Sequence, residues 1–150
     1  MSAASSDESV IGEPARADVE LRLPCDRAYA SVLRTTTAGL AARLDFTIDD
    51  IEDLRIAVAE ASALVLPVAD PGADLRARFY LGAGRMTVEV EAAAMDGPAP
   101  DRESFAWQVL DTLAINAAVE SEQGVFRVRF TIASPLAVGA SDTDPPGAEL

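Results

Sequence analysis

The feature that most constrains the fold of this chain is a pair of alternating segments separated by a short glycine-containing turn. In the segments DLRARFYLGA and RMTVEVEAAA, apolar and polar residues alternate, as where Val88 and Val90 interleave with glutamates. A period of two residues is typical of a strand with one buried face. The turn that contains Gly82 and Gly84 favours a hairpin. The sequence therefore predicts an antiparallel pair of strands with one face covered by other elements.

Similar patterns predict the other elements. Further strands are expected at ADVELRLP, NAAVES and GVFRVRFTIAS. Helices are expected at DRAYASVLRTTTAGLAARL, DDIEDLRIAVAEASALVL and SFAWQVLDTLAI. The order of elements predicts an α/β (α+β) two-layer sandwich, in which a mostly antiparallel mixed sheet is covered on one face by three helices.

Two of the predicted helices carry apolar stripes at three- and four-residue steps, which indicates faces that point to the core. The stripe of the second helix consists of Ile51, Leu54, Val58, Ala61 and Val65. That of the third helix consists of Phe105, Val109 and Leu113.

The length of 150 residues is that of one domain, which we expect at residues 17–134. Residues 1–16 are predicted to be a flexible arm, and residues 135–150, PLAVGASDTDPPGAEL, a disordered acidic tail. No apolar run reaches the roughly 18–20 residues of a membrane helix, and no secretory signal pattern is present. With a single cysteine, Cys25, these features predict a cytoplasmic protein.

Histidine and lysine are both absent, so all 12 basic residues are arginines. Imidazole bases, histidine-ligated metals, phosphate-binding Walker loops and lysine Schiff bases are therefore excluded. Arginine and alanine in place of lysine also suggest a GC-rich, actinobacterial coding sequence.

The net charge of −13 argues against direct binding to nucleic acid or to an anionic membrane. It favours a basic protein partner. Solubility alone explains the charge equally well.

The order of elements and the segment LDFTIDDIEDLRIAVAEASAL resemble the RsbW-type family of anti-sigma factors and serine kinases, part of the GHKL class of ATPases with histidine kinases and gyrase B. The resemblance covers about residues 17–133. SFAWQVLDTLA followed by GVFRVRFTIA is similar to the end of this domain in actinobacterial members that regulate stress sigma factors. The resemblance implies a histidine-kinase-like ATPase fold. The residues that carry it are Leu44, Asp45, Asp49, Leu54, Ala57, Val58, Glu60 and Ala61.

The resemblance implies that Glu60 is the catalytic general base and that an asparagine four residues later binds Mg²⁺. Positions i and i+4 share one helix face, so the two groups would address the same phosphates. Leu64 stands at the asparagine position and offers no oxygen to a metal ion. Glu60 is thus either a remnant of the catalytic pair or a solvated helix charge, and no metal ligand is predicted.

The resemblance also implies that Asp96 and Gly97 form the remnant of a loop that binds the adenine of ATP, although MDG is equally typical of an ordinary turn. Pro98 and Pro100 follow where glycines are expected, and a proline donates no backbone N–H. The segment DRESFAWQVL lacks the glycines that would wrap phosphates. ATP with Mg²⁺ is therefore a doubtful cofactor, and kinase activity is expected to be weak or absent.

The implied partners are a sigma factor and an anti-sigma-factor antagonist, with a homodimer as the usual assembly. Arg34 matches an arginine of the first helix that contacts both partners, although an exposed helix arginine is common. Asp45 and Asp49 begin an acidic patch that would meet basic helices of a sigma factor. The helix macrodipole offers another reason for acids at this helix start. The remaining members of the patch are Asp50, Glu52 and Asp53.

Three functions remain open at this point. The chain is an anti-sigma factor with a degraded nucleotide site, an active serine kinase that phosphorylates the antagonist, or a module of the same fold that binds another protein. The missing asparagine and glycines favour the first over the second. The sequence does not identify the sigma factor or the release signal.

Overall fold

The structure, a computed structural model, describes residues 16–135. The predicted N-terminal arm and acidic tail therefore lie outside the described residues, except for Arg16 and Pro135. The described elements are five strands and three α-helices, with short 3-10 turns at Arg27–Tyr29 and Leu66–Val68. In chain order they are β1 (Val19–Pro24), α1 (Ala30–Ala41), α2 (Ile48–Val65), β2 (Asp74–Gly82), β3 (Arg85–Ala93), α3 (Phe105–Leu113), β4 (Asn116–Glu122) and β5 (Val125–Ala133).

The five strands form one sheet in the order β1-β2-β3-β5-β4. Every described pair of neighbours is antiparallel. The predicted hairpin is β2–β3, in which Phe79 lies opposite Val88. The fold prediction is confirmed.

The helices cover one face of the sheet, with α2 at the centre. This helix packs against β3 and β5 below it and against α1 and α3 on its two sides. Leu54, Val58 and Val65 of its predicted stripe are fully buried, and they meet sheet residues such as Phe79 and Phe130 in one core. The stripe of α2 is thus confirmed as the main contact between the two layers.

The predicted stripe of α3 is wrong at Phe105 and is confirmed only at Leu113, which packs against the core. Phe105 is 76% exposed, whereas Leu110 is fully buried. Trp107, Leu113 and Ala114 also pack against the core. The short helix has apolar residues on two sides, and contact with α2 turns the side of Leu110 inward. Periodicity alone does not distinguish the two sides.

The other face of the sheet carries a ladder of cross-strand ion pairs. At its centre Glu91 is only 8% exposed and lies 2.8 Å from Arg127 Nε and 3.1 Å from Arg78 Nη1. Arg129 pairs in the same way with Glu89 on the neighbouring strand. Burial alone would raise the pKa of Glu91, but hydrogen bonds and charges from Arg127 and Arg78 outweigh burial and lower it. The charges on this face are therefore largely satisfied within the domain.

None of the helices within residues 16–135 is long and apolar enough to cross a membrane.

We expect Glu91→Gln to lower the free energy of unfolding at pH 7 by about 1–2 kcal/mol, because it leaves two half-buried arginines without their shared carboxylate. A carboxyl with a lowered folded-state pKa stabilises the protein fully above its ordinary pKa of 4.5, and this stabilisation is lost as the pH falls through the folded-state value. The difference between wild type and variant should therefore shrink on acidification. Urea unfolding at several pH values measures it. Glu122→Gln, on an exposed residue without an ion pair in the described part of the chain, is the matched control. A difference that stays constant with pH would contradict the assignment.

Candidate functional site

The helix that carries Glu60 starts at a complete capping box. Asp50 N–H donates to Thr47 Oγ1 over 3.1 Å, and Thr47 N–H donates to Asp50 Oδ2 over 3.2 Å. Thr47 is the N-cap of α2, and Asp50 is only 7% exposed. This cap begins α2 at Ile48, and the buried stripe then determines which residues of α2 point away from the sheet.

Glu60 lines a cleft of about 310 Å³ between α1 and α2. Arg34 reaches the same cleft from α1, so the structure brings these two predicted site residues together. The other lining residues are Glu52, Arg55, Ile56 and Ala59. Their spacing of three and four residues on α2 is that of one helix face. Sequence reasoning missed Arg55 and Ile56, although this spacing relative to Glu60 would have indicated them.

The four charged residues of this α1–α2 cleft form no ion pair with any described residue. Arg34, Arg55, Glu52 and Glu60 thus differ from the arginines of the sheet ladder, which pair with carboxylates. Ile56 is 37% exposed between them. The cleft therefore offers two cations, two anions and an apolar surface to another molecule.

The predicted acidic patch surrounds the start of α2. Asp45 adopts a left-handed backbone (φ 63°), and its side chain and that of Asp49 are exposed. Asp49 lies three residues before Glu52, so the patch continues into the α1–α2 cleft. Burial, followed by the charges of Asp50, Asp49 and Glu52, raises the pKa of Asp53. Asp50 itself serves the capping box, as expected of an acid in a first helical turn.

The surroundings of Glu60 do not fit the magnesium ion that the resemblance implies. Leu64, at the position of the metal ligand, packs against the hydrophobic core. Within residues 16–135, no group of three or more His, Cys, Asp or Glu residues is arranged to hold a metal ion. The described part of the chain thus places no oxygen ligand one turn after Glu60.

Asp96 and Gly97 lie in a tight turn that follows β3. Gly97 N–H donates to Ala94 O over 3.1 Å, and Gly97 has φ 63°. Met95 N–H donates to the carboxylate of Asp70, which connects this turn to the residues that follow α2. Asp96 is exposed and forms no hydrogen bond with a described side chain or backbone group. Its carboxylate is thus free to accept from a ligand, while the glycine performs an ordinary turn function.

The segment between this turn and α3 is held by its own side chains. Arg102 Nη2 donates to Val119 O over 3.3 Å and stacks on the ring of Trp107, 6.0 Å from its centroid. Ser104 caps α3 by accepting from Trp107 N–H over 3.2 Å. The first backbone N–H groups of a helix have no partner within the helix and can bind phosphate. In α3 one of them, the Trp107 N–H, is already bound to Ser104.

No protein-family model matches the chain. The chain is 41% identical over 73 residues to the serine-protein kinase RsbW of Halalkalibacterium halodurans. The matched stretch covers 48% of this chain and 45% of the relative. To the serine-protein kinase RsbW of Bacillus subtilis it is 35% identical over 75 residues, 48% of this chain and 47% of the relative. The chain thus matches about half the length of these curated relatives.

A solved structure supports the fold. The crystal structure of the RsbU and RsbW domains of Rv1364c from Mycobacterium tuberculosis superposes with a TM-score of 0.59 over 77% of this chain and 32% of that chain. The sequence identity is 16%, so this match concerns the fold alone. The predicted resemblance to the RsbW-type family is confirmed, since relatives that carry this name match in sequence.

Removal of the cap at the start of α2 should destabilise the domain. We expect Thr47→Ala to lower the free energy of unfolding by about 1 kcal/mol, because the Asp50 N–H loses its acceptor, Thr47 Oγ1. Thermal or urea unfolding measures the loss. Thr35→Ala, on an exposed threonine of α1, is the matched control and should change stability by only a few tenths of a kcal/mol. Equal stability of both variants would show that the capping box contributes nothing.

Proposed function

We propose that this chain, a relative of the RsbW serine-protein kinases, is an anti-sigma factor. It binds and sequesters an alternative sigma factor of the stress or sporulation type, and an anti-sigma-factor antagonist releases it by competing for an overlapping surface. Its nucleotide site is degraded. A homodimer is the assembly that we expect.

The observation that carries this proposal is the α1–α2 cleft. Arg34, the residue implied to contact both partners, stands there beside Glu60, and neither forms an ion pair with a described residue. Charges that are paired within a domain gain little from a partner, whereas unpaired charges beside apolar surface give a partner both affinity and orientation. Exposed Asp45 and Asp49 extend this surface with negative charge that suits a basic helix.

The same region argues against a working kinase. A base without a magnesium ligand one turn later lacks the means to neutralise the phosphates during phosphoryl transfer. Leu64 is part of the hydrophobic packing, so an oxygen ligand at this position would cost buried apolar contacts. Both observations favour a protein-binding role for the α2 surface.

We expect Arg34→Glu to weaken binding to the sigma factor by at least about tenfold, because a charge reversal in the cleft repels the partner's acidic contacts. Pull-down of individually purified sigma factors, followed by titration of the one that binds, measures the effect. Arg76→Glu reverses an exposed charge on the sheet face away from the helices, and it should leave affinity nearly unchanged. Equal binding by wild type and Arg34→Glu would remove Arg34 from the interface.

The second candidate function is an active serine kinase that phosphorylates the antagonist. The names of the relatives and the retained Glu60 favour it. A third candidate is a module of the same fold that binds a protein other than a sigma factor. The sigma-factor pull-down separates the third candidate from the first.

Isothermal titration with ATP and ADP, with and without Mg²⁺, separates the kinase from the binding protein. We expect no magnesium-dependent binding in the micromolar range, because Leu64 offers no oxygen to a metal ion and the Ser104 cap already occupies one backbone donor at the start of α3. Should wild type bind nucleotide, Asp96→Asn tests the adenine contact at this exposed position, because it replaces the charged carboxylate acceptor with a neutral amide. Magnesium-dependent binding that Asp96→Asn abolishes would establish the kinase interpretation instead.

A further inference from the structure

The α1–α2 cleft has a regular pattern of charge along α2. Glu52, Ile56 and Glu60 line the cleft and follow one another at four-residue steps, which places them in one row on the helix surface. We refer to these three residues as the α2 row. At a rise of about 1.5 Å per residue, one glutamate lies about 6 Å before Ile56 along the helix axis and the other about 6 Å after it.

The apolar member of the α2 row is not needed for the packing of the domain. Ile56 is 37% exposed and is not part of the hydrophobic core. Ala59 lines the cleft beside it and is half-buried, and its small side chain leaves the space next to Ile56 open. An apolar side chain of another molecule therefore finds apolar surface here that the domain itself leaves uncovered.

The charged members of the α2 row are available to a partner. Neither Glu52 nor Glu60 forms an ion pair with a residue in the described part of the chain. Arg34 and Arg55 line the same cleft and are equally without an ion pair among residues 16–135. A partner that fits must therefore bring cations to the α2 row and carboxylates to the two arginines.

We propose that the α2 row determines which helix of the sigma factor the α1–α2 cleft accepts. That helix carries an apolar residue with a lysine or arginine four residues before it and another four residues after it. A helix lying along α2 has the same rise per residue, so its apolar residue meets Ile56 while its cations meet Glu52 and Glu60. The pattern is the same in both chain directions, so parallel and antiparallel helices fit equally.

This inference rests on the proposed function, because a sigma factor is the occupant. It adds Ile56 and Glu52 to the interface, and it gives Glu60 a binding role that requires neither nucleotide nor Mg²⁺.

The first test removes the apolar contact. The probe is the purified sigma factor that binds the full chain in the pull-down, titrated into each variant by isothermal titration. We expect Ile56→Ser to weaken binding at least about tenfold, because an apolar anchor at the centre of an interface carries much of the affinity. Ile115→Ser is the matched control, since Ile115 is 56% exposed at the junction of α3 and β4 and lies outside the cleft. It should leave affinity nearly unchanged, and thermal unfolding checks that both variants fold.

The second test removes the two carboxylates. Glu52→Gln/Glu60→Gln should weaken binding and reduce its dependence on salt, because two contacts with the partner's cations are lost. Glu103→Gln/Glu122→Gln removes the same net charge at exposed positions outside the cleft, and it should leave affinity nearly unchanged. Glu52→Gln alone should also weaken binding. Because Glu52 is not part of the implied catalytic pair, that loss would not come from catalysis.

Unchanged affinity in either Ile56→Ser or Glu52→Gln/Glu60→Gln would overturn this inference, while Arg34→Glu still reports on the proposed function. An equal loss in Glu103→Gln/Glu122→Gln would also overturn it, because net charge and not the α2 row would then act. A dimer in sedimentation that Ile56→Ser dissociates would assign the row to a second copy of this chain instead. Failure of every sigma factor to bind wild type would overturn both the inference and the proposed function.

Discussion

The structure depends on the burial of one face of α2 between the sheet and the two other helices. Leu54, Val58 and Val65 fill the space above β3 and β5, while Ala57 and Ala61 keep the helix close to its neighbours. Because this face is buried along the whole helix, rotation of α2 would expose apolar surface at a cost of about 25 cal/mol per Å². The capping box sets where the helix begins. Together they determine that Glu60 and Arg55 point to the α1–α2 cleft.

The two sides of the domain use charge differently. On the open face of the sheet, Glu91 is held between Arg78 and Arg127, so its charge is compensated before any partner arrives. In the α1–α2 cleft, Arg34 and Glu60 have no described partner. Compensated charges stabilise the fold, whereas uncompensated ones are available for recognition. This contrast is the physical basis for placing the proposed interface on the helical side.

The proposed degradation of the nucleotide site rests mainly on Leu64, which stands where the resemblance implies an asparagine. Leu64 packs against the core and so contributes to folding. A ligand of Mg²⁺ must instead present an oxygen atom to the ion. Leucine at this position therefore favours core packing over metal binding. The prolines of the following loop and the cap at Ser104 act in the same direction, because they reduce the number of free backbone donors.

By itself the sequence determined the elements, their antiparallel pairing and the buried stripe of α2, because alternation and helical periodicity are local properties that appear directly in the residue order. It also indicated Glu60 and Arg34 through resemblance. Only the tertiary structure decided that these two residues share a cleft, since they lie on different helices and their distance depends on how α1 packs on α2. It alone decided which side of α3 faces inward, because Phe105 and Leu110 are equally apolar and contact with α2 selects between them.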